Sequence, residues 1–536
     1  MLFPEALHTK QLPSFYDDAP ADELAKRITD AMTEEELLAQ TFMFGWAGQQ
    51  PTDLLVKWIT ERNLGSIKIF GWNTEDSVDL AKAVSLLQSK AAATRFHIPL
   101  FVATDQEGGW IRHVKGKTSE TPGNLAIGAS GYPIDAYHEG FYISRELAAL
   151  GINLNFAPTV DLYTNHQSVI IGPRSFGESP AAAGILARAF VQGSRDAGVL
   201  TTAKHFPGHG DTALDSHGKL PAISISKEVL YSRELVPFQM LIDADVPAIM
   251  TGHLYFPAVS ENGEPATFSP YILQTILRKQ MGFKGLVITD DMMMHSAIRY
   301  AGSIAKAVQL ALEAGNDIIE SSTTPRLYDA FWTENIERMR THAAFKNRVK
   351  TAARHIIFTK LTYFKSGRAV PLYPDIYTIA EKLPDREGQA FFLSLAAHAV
   401  TLVRPKDVPY SVKSNERILL AGTYPAFFRA GLKRIPQAHT INLSDGLLAK
   451  ARQYDTIIYC LSDEQSLEQL QKLFKAYPKK KYIIFSVLSP VLLPRIPEIP
   501  TVLALYSYAP VSFTAGFAAL LGDFVPKGRL PLSGIR

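Results

Sequence analysis

Along the first two thirds of the chain, short apolar runs alternate with longer stretches whose apolar residues recur every three or four positions. The runs at residues 40–44, 66–70, 100–104, 153–158, 199–205, 248–252, 286–289 and 317–319 read as buried strands. Between most of them, residues 75–92, 181–197, 230–244 and 303–314 carry the periodicity of amphipathic helices. An earlier helix is announced by Thr33 with Glu36 three residues on, the pattern of a capping box. Eight strands alternating with helices predict a (β/α)8 barrel. A doubly wound sheet is the runner-up, but no glycine-rich phosphate turn follows the first strand.

The alternation breaks at residues 361–384, which hold Gly367 and three prolines and read as a linker between domains 1–360 and 385–536. Beyond it, residues 397–403, 417–420, 456–461, 482–487 and 501–506 predict strands, with a helix at 466–476. This second unit reads as a smaller α/β/α sandwich with helices on both faces of an open sheet.

Composition adds mostly exclusions. The 55 basic and 52 acidic residues nearly cancel, so no concentrated basic face points to nucleic acid. The densest basic cluster, Pro478-Lys479-Lys480-Lys481, reads as the solvated start of a strand. Cys460 is the single cysteine and lies in an apolar run, which predicts a small buried hydrophobe rather than a disulfide. No stretch approaches the roughly 20 apolar residues of a membrane span. The amino terminus lacks a basic region followed by an apolar core. A cytoplasmic protein is expected, with an exported form that has lost its signal peptide as the alternative.

Candidate chemistry concentrates in Lys204-His205-Phe206-Pro207-Gly208-His209-Gly210-Asp211-Thr212, followed by Asp215-Ser216-His217. So many titratable groups among Gly and Pro suit a polar active-site loop rather than a packed element. In a barrel, catalytic groups come from the carboxyl ends of the strands. Those ends offer Asp105 after the third, Lys204 and His205 on the fifth, His253 after the sixth and Asp290-Asp291 after the seventh; Arg174 lies in the loop after the fourth. Asp290 follows a run with nothing polar before Thr289, which suits a rigidly held nucleophile; a helix cap is the competing reading. Asp291 is the better cap, and Met292-Met293-Met294 read as helix core. Asp215 stands two residues from His217 and can orient the imidazole, making His217 a candidate general acid/base. A metal site built from His205, His209, Asp211, Asp215 and His217 is an alternative. So is Ser216 as nucleophile, although no Gly-x-Ser-x-Gly elbow is present. His209 and Asp211 read as residues that hold the loop closed.

The cluster from Lys204 to His217 resembles the signature of the β-N-acetylglucosaminidases of glycoside hydrolase family 3. Thr104-Asp105-Gln106-Glu107-Gly108-Gly109, Asn155-Phe156-Ala157-Pro158 with Arg174-Ser175-Phe176-Gly177, and Ile288-Thr289-Asp290-Asp291-Met292 are similar to further motifs of that family. The closing Gly528-Arg529-Leu530-Pro531-Leu532-Ser533 resembles the end of its second domain. The resemblance implies a retaining exo-glycosidase with Asp290 as nucleophile and His217, paired with Asp215, as acid/base. It implies sugar binding by Asp105, Arg174, Lys204 and His205, no metal or organic cofactor, and β-linked N-acetylglucosamine, as in peptidoglycan fragments, as substrate. Three positions depart: Trp110 follows the double glycine, Pro173 precedes Arg174, and the eighth strand ends in Glu320-Ser321-Ser322. The rivals are a β-glucosidase or β-xylosidase of the same family, with a carboxylate acid from the second domain, and a non-catalytic sugar-binding or scaffold protein. Phosphorolysis in place of hydrolysis stays open.

Overall fold

The computed structural model describes residues 12–168, 170–212, 220–260, 262–444 and 446–535. Eight parallel strands form the first sheet: β1 Phe42–Phe44, β2 Ser66–Ile69, β3 Phe101–Thr104, β4 Leu154–Asn155, β5 Leu200–Phe206, β6 Ala248–Thr251, β7 Leu286–Thr289 and β8 Ile319–Ser321. Their order is β8-β1-β2-β3-β4-β5-β6-β7. A parallel bridge between Ile288 and Ile318 closes the ring. The sheet is therefore a barrel with β3 and β7 on opposite sides of its axis. Side chains fill the interior, including Met43, Phe101, Leu154, Phe156, Met250 and Ile288.

Local signals explain the element limits. Thr33 accepts from the Glu36 amide at 3.2 Å while the Glu36 carboxylate takes the Thr33 N–H at 2.8 Å, completing the predicted capping box. Asp76 caps Ser77–Ala92, and Ser303 caps Ile304–Ala314. The eighth strand sits two residues later than its apolar run suggests. Asp317 is instead held below it by Arg278 at 2.8 Å, Arg348 at 3.0 Å and His355 at 3.1 Å. Met292–Met294 form a turn rather than helix core, because the next helix begins only at His295.

Helix Ala343–Phe364 runs past the predicted domain boundary, and Lys360 lies buried inside it, donating to the Gly65 carbonyl at 2.6 Å. The second sheet contains β9 Thr401–Pro405, β10 Ile418–Gly422, β11 His439–Asn442, β12 Thr456–Leu461, β13 Lys481–Ser486 and β14 Thr501–Ala504. Their order is β9-β14-β13-β12-β10-β11, with β9 antiparallel to β14 and the other pairs parallel. Alternation along β12 divides the two faces. Ile457, Tyr459 and Leu461 join one apolar cluster, whereas Ile458 and buried Cys460 join the other. Two readings are corrected here. Residues 397–399 finish helix Arg386–Ala399, whose buried face includes Phe392, Leu395 and Ala399. The edge strand β11 was missed because it is mostly exposed and its His-Thr-Ile-Asn carries no apolar run.

The sandwich rests on loops above the carboxyl ends of the barrel strands. Leu125, Ala126 and Ala129, on the helix after β3, share its apolar cluster. The closing segment adds hydrogen bonds: Arg529 N–H reaches the Ala129 carbonyl at 2.8 Å, and Ser533 N–H reaches the Glu178 carboxylate at 2.8 Å. That segment thus braces the loop carrying Arg174, whose carbonyl also accepts from Asn124 at 2.6 Å.

Candidate active site

The third strand delivers Asp105 to the rim and then folds back in a hairpin, Gln106–Gly108 against Ile111–Arg112. Gly108 and Gly109 make that reversal at φ 92° and 60°. A Cβ on Gly108 would stand 2.4 Å from Glu139 Oε1.

Each oxygen of Asp105 meets an ammonium. Lys204 Nζ lies 2.5 Å from Oδ1 and Lys68 Nζ 2.6 Å from Oδ2. Burial alone would raise the Asp105 pKa, but Lys204, Lys68 and His113 together hold it well below the ordinary carboxylate value. Lys204 also reaches Glu107 at 2.6 Å, and Arg174 grips Glu107 through two parallel bonds of 2.9 and 2.7 Å. Burial works against ionisation of Glu107 too, yet Arg174 and Lys204 bring its pKa down to about 2.

His205 is fixed from behind. Its Nδ1 lies 2.6 Å from Asp161 Oδ2, and its backbone N–H also donates to that carboxylate. The His209 N–H donates to the other oxygen at 2.7 Å. With Nδ1–H committed to Asp161, Nε2 faces the Arg174 guanidinium at 3.4 Å. Asp211 pairs with Arg233, which also holds Glu234 at 2.6 Å. That contact anchors the far end of the loop, the role read for Asp211 from the sequence. Asp215 and His217, with Ser216, lie outside the described residues.

Asp290 stands just past β7. Its N–H donates to the Thr251 carbonyl at 3.0 Å, and its Oδ1 accepts the Asp291 N–H at 2.8 Å. Burial raises its pKa, but His205, His253 and the Asp291 amide outweigh that and keep it below the ordinary value. His253 is fully buried, with Nε2 3.1 Å from the Asp291 carbonyl and Nδ1 2.9 Å from the Thr267 hydroxyl. Burial pushes its pKa down. Asp291 caps no helix: its Oδ1 accepts from Met293 and Ser322 N–H groups and ties the β7 rim to the β8 rim.

The structure thus brings Asp105, Arg174, Lys204, His205 and Asp290 to one mouth. It adds Glu107 and Asp161, to which no role came from the sequence, and a buried pair, Lys68 and Glu320. Three of these four had a signal: Asp161 is a lone acid in the apolar run from Phe156 to Tyr163, Lys68 interrupts Ser66-Ile67-Lys68-Ile69-Phe70, and Glu320 ends the eighth apolar run.

A family profile described as the glycosyl hydrolase family 3 N terminal domain matches residues 32–357. The chain belongs to glycosyl hydrolase family 3. Among its relatives, Beta-hexosaminidase A of Pseudoalteromonas piscicida is 36% identical over 276 residues, spanning 48% of this chain and 46% of that protein. This chain therefore matches about half the length of that relative. Beta-hexosaminidase of Xylella fastidiosa (strain M23) is 34% identical over 52% of this chain and 82% of its own. Among solved structures, a glycoside hydrolase family 3 beta-N-acetylglucosaminidase from Paenibacillus sp. str. FPU-7 superposes with a TM-score of 0.83 at 27% identity. That match covers 94% of this chain and 99% of the other. A beta-glucoside phosphorylase, at 20% identity and a TM-score of 0.83, supports the fold alone.

Proposed function

We propose that this family 3 protein is a retaining, exo-acting β-N-acetylglucosaminidase that removes terminal β-linked N-acetylglucosamine, with peptidoglycan-derived fragments as the natural source. The observation that carries the reading is the arrangement across the mouth. Asp290, ionised and rigidly held on β7, faces a clamp of carboxylates and cations on β3 to β5. A sugar seated there has its hydroxyls read by Asp105, Lys204, Arg174 and His205, while its anomeric carbon meets Asp290. The bacterial β-hexosaminidase relatives and the Paenibacillus structure favour the hexosaminide over other β-glycosides.

Behind Asp105 the site is walled. His113 lies 3.6 Å from its carboxylate, the Phe70 ring is 5.5 Å from His113, and Trp72 stacks on Phe70 at 4.7 Å. The loops after β2 and β3 are stitched together there by the Thr74 hydroxyl on the His113 carbonyl at 2.8 Å. A wall at the distal end of the sugar suits removal of one terminal residue.

In the first step a carboxylate oxygen of Asp290 bonds to the anomeric carbon as the glycosidic C–O bond breaks. The departing oxygen takes a proton from His217, the acid/base that the family resemblance implies, with Asp215 as its partner. In the second, a water oxygen bonds to the same carbon, its proton passes to His217, and the Asp290 ester bond breaks. Two displacements at one carbon retain its configuration.

The test is a panel of chromogenic β-glycosides assayed with wild type, Asp290→Asn and His217→Ala. The glucosaminide should be preferred, and Asp290→Asn should lose about 10³-fold or more in kcat. Activated aryl leaving groups should partly rescue His217→Ala, since they need little protonation. Preference for a glucoside would remove the specificity, and normal turnover by Asp290→Asn would remove the mechanism.

A further inference from the structure

The upper interior of a (β/α)8 barrel is ordinarily filled by apolar side chains contributed by alternate strands. Here β2 and β8, alternate strands flanking β1, contribute Lys68 and Glu320 instead. Both are almost wholly buried, at 3% and 1% exposure. Lys68 lies over the Phe156 ring at 4.3 Å and the Phe70 ring at 4.8 Å, with its Nζ on Asp105 Oδ2 at 2.6 Å and 3.8 Å from Glu320 Oε1. Glu320 Oε1 has no hydrogen-bond partner among the described residues. Burial, with repulsion from Asp291, Asp290 and Asp105, pushes the Glu320 pKa well above the ordinary carboxyl value, so this group is held protonated and the Lys68 ammonium is left to Asp105. Burying an ammonium and a polar carboxyl in this layer is costly. Stability therefore gives no reason for the pair, whereas its contact with Asp105 does.

A carboxylate held by one ammonium can still swing about its last torsion. One whose two oxygens are each bonded to a different ammonium cannot. With Lys204 on Oδ1 and Lys68 on Oδ2, the Asp105 plane is fixed, and its remaining lone pairs point in fixed directions. The barrel says which part of the sugar they meet. Asp290 follows β7 and Asp105 follows β3, on opposite sides of the axis, and in a pyranose C4 lies directly across the ring from C1.

We propose that Lys68 is a specificity-determining positioning residue that locks Asp105 to accept the equatorial C4 hydroxyl of a gluco-configured hexosaminide and so to reject the galacto epimer. Lys68 does not touch the sugar; it acts by removing the rotational freedom that would let Asp105 follow an axial hydroxyl. The proposal rests on the glucosaminidase reading above.

The experiment compares kcat and KM for p-nitrophenyl β-N-acetylglucosaminide and β-N-acetylgalactosaminide in wild type, Lys68→Met and the double variant Lys68→Met/Glu320→Leu. The double variant also removes the buried Glu320 carboxyl, so that group is not left facing the new apolar side chain and the variant reports even if the single one folds poorly. In both, the ratio of the two kcat/KM values should fall about tenfold, the size of one well-aimed charge-assisted hydrogen bond, mostly through a higher KM for the glucosaminide. Retention of the wild-type ratio by the folded variants, with only the melting temperature changed, would overturn the proposal and leave the pair a structural one. Wild type that turns over neither hexosaminide would overturn the underlying reading instead.

Discussion

Glu139 gives the sharpest test of the electrostatics beneath the site. It lies in helix Pro133–Ala149, fully buried. Its Oε1 accepts the Thr121 hydroxyl at 2.6 Å, and Thr121 Oγ1 in turn accepts the Gly109 N–H at 3.0 Å. Its Oε2 has no hydrogen-bond partner among the described residues. Burial raises its pKa to about 8, since the bonds from Thr121 and the Gly123 backbone offset only part of the desolvation and Asp135 adds repulsion. The folded state therefore holds this proton more tightly than the unfolded chain. The stability so gained is complete below the unfolded value of 4.5 and is lost as pH rises through about 8. Between 4.5 and pH 7 the shortfall is about 2.5 pH units, or about 3 kcal/mol.

Glu139→Gln keeps the shape and the acceptor for Thr121 while removing the titration. The variant should melt at nearly the wild-type temperature in acid and above it near pH 7. The gain should be about 3 to 6 °C, taking about 1 to 2 °C per kcal/mol for a chain of this size. Thermal melts of both proteins from about pH 5 to pH 8 measure the divergence. Parallel curves, or a variant less stable at every pH, would mean that Glu139 is ionised in the fold and that the reasoning from burial is wrong.

Further outcomes follow from the clamp. Asp161→Asn leaves an amide facing three N–H donors, from His205 twice and His209 once. It should cost about 2 to 3 kcal/mol in denaturant unfolding and raise KM about tenfold as the His205 ring loosens. Arg174→Lys replaces a two-pronged grip on Glu107 with a single donor. Steady-state kinetics should show kcat/KM lower by about 10- to 100-fold, while the melting temperature changes little. Gly108→Ala forces a Cβ onto a backbone at φ 92° and to 2.4 Å from Glu139 Oε1. The denaturation midpoint should fall by an amount worth about 1 to 3 kcal/mol.

The barrel was legible because its strands are buried on both sides and so read as unbroken apolar runs bounded by polar residues. Leu286–Thr289 and Thr456–Leu461 end where those runs end. Strand ends that pass straight into titratable residues, such as Asp105, Lys204 and Asp290, stood out for the same reason. What the pattern could not carry is pairing across the barrel. Glu107 meets an arginine 67 residues away and Asp161 a histidine 44 residues away. Glu107 does not differ along the chain from an acid that caps a turn, and Asp161, though a lone acid in an apolar run, does not reveal which residue it meets. Lys68 and Glu320 were visible as a lysine inside an apolar run and an odd strand end, but their proximity has meaning only once β2 and β8 flank β1. Exposed elements fail differently: β11 buries too little to leave an apolar signature.

The distribution of cations across the mouth bears on how a nucleophile can be both ionised and reactive. Lys68 and Lys204 are committed to Asp105, with Lys204 also on Glu107, and Arg174 is committed to Glu107. All three are turned toward the acids of the β3 rim. Asp290 is kept ionised by more diffuse means, the nearby imidazoles of His205 and His253 and a backbone amide, with Lys204 contributing least. A direct lysine or arginine contact would lower its pKa further, but it would also tie up the lone pairs that must attack carbon. The carboxylates of β3 and β4 therefore have a second consequence besides holding cations for sugar hydroxyls. They keep those cations off Asp290. On this view, neutralising Glu107 would release Arg174 toward the nucleophile while Lys204 stays on Asp105, so that its loss would slow the attack itself as well as weaken binding.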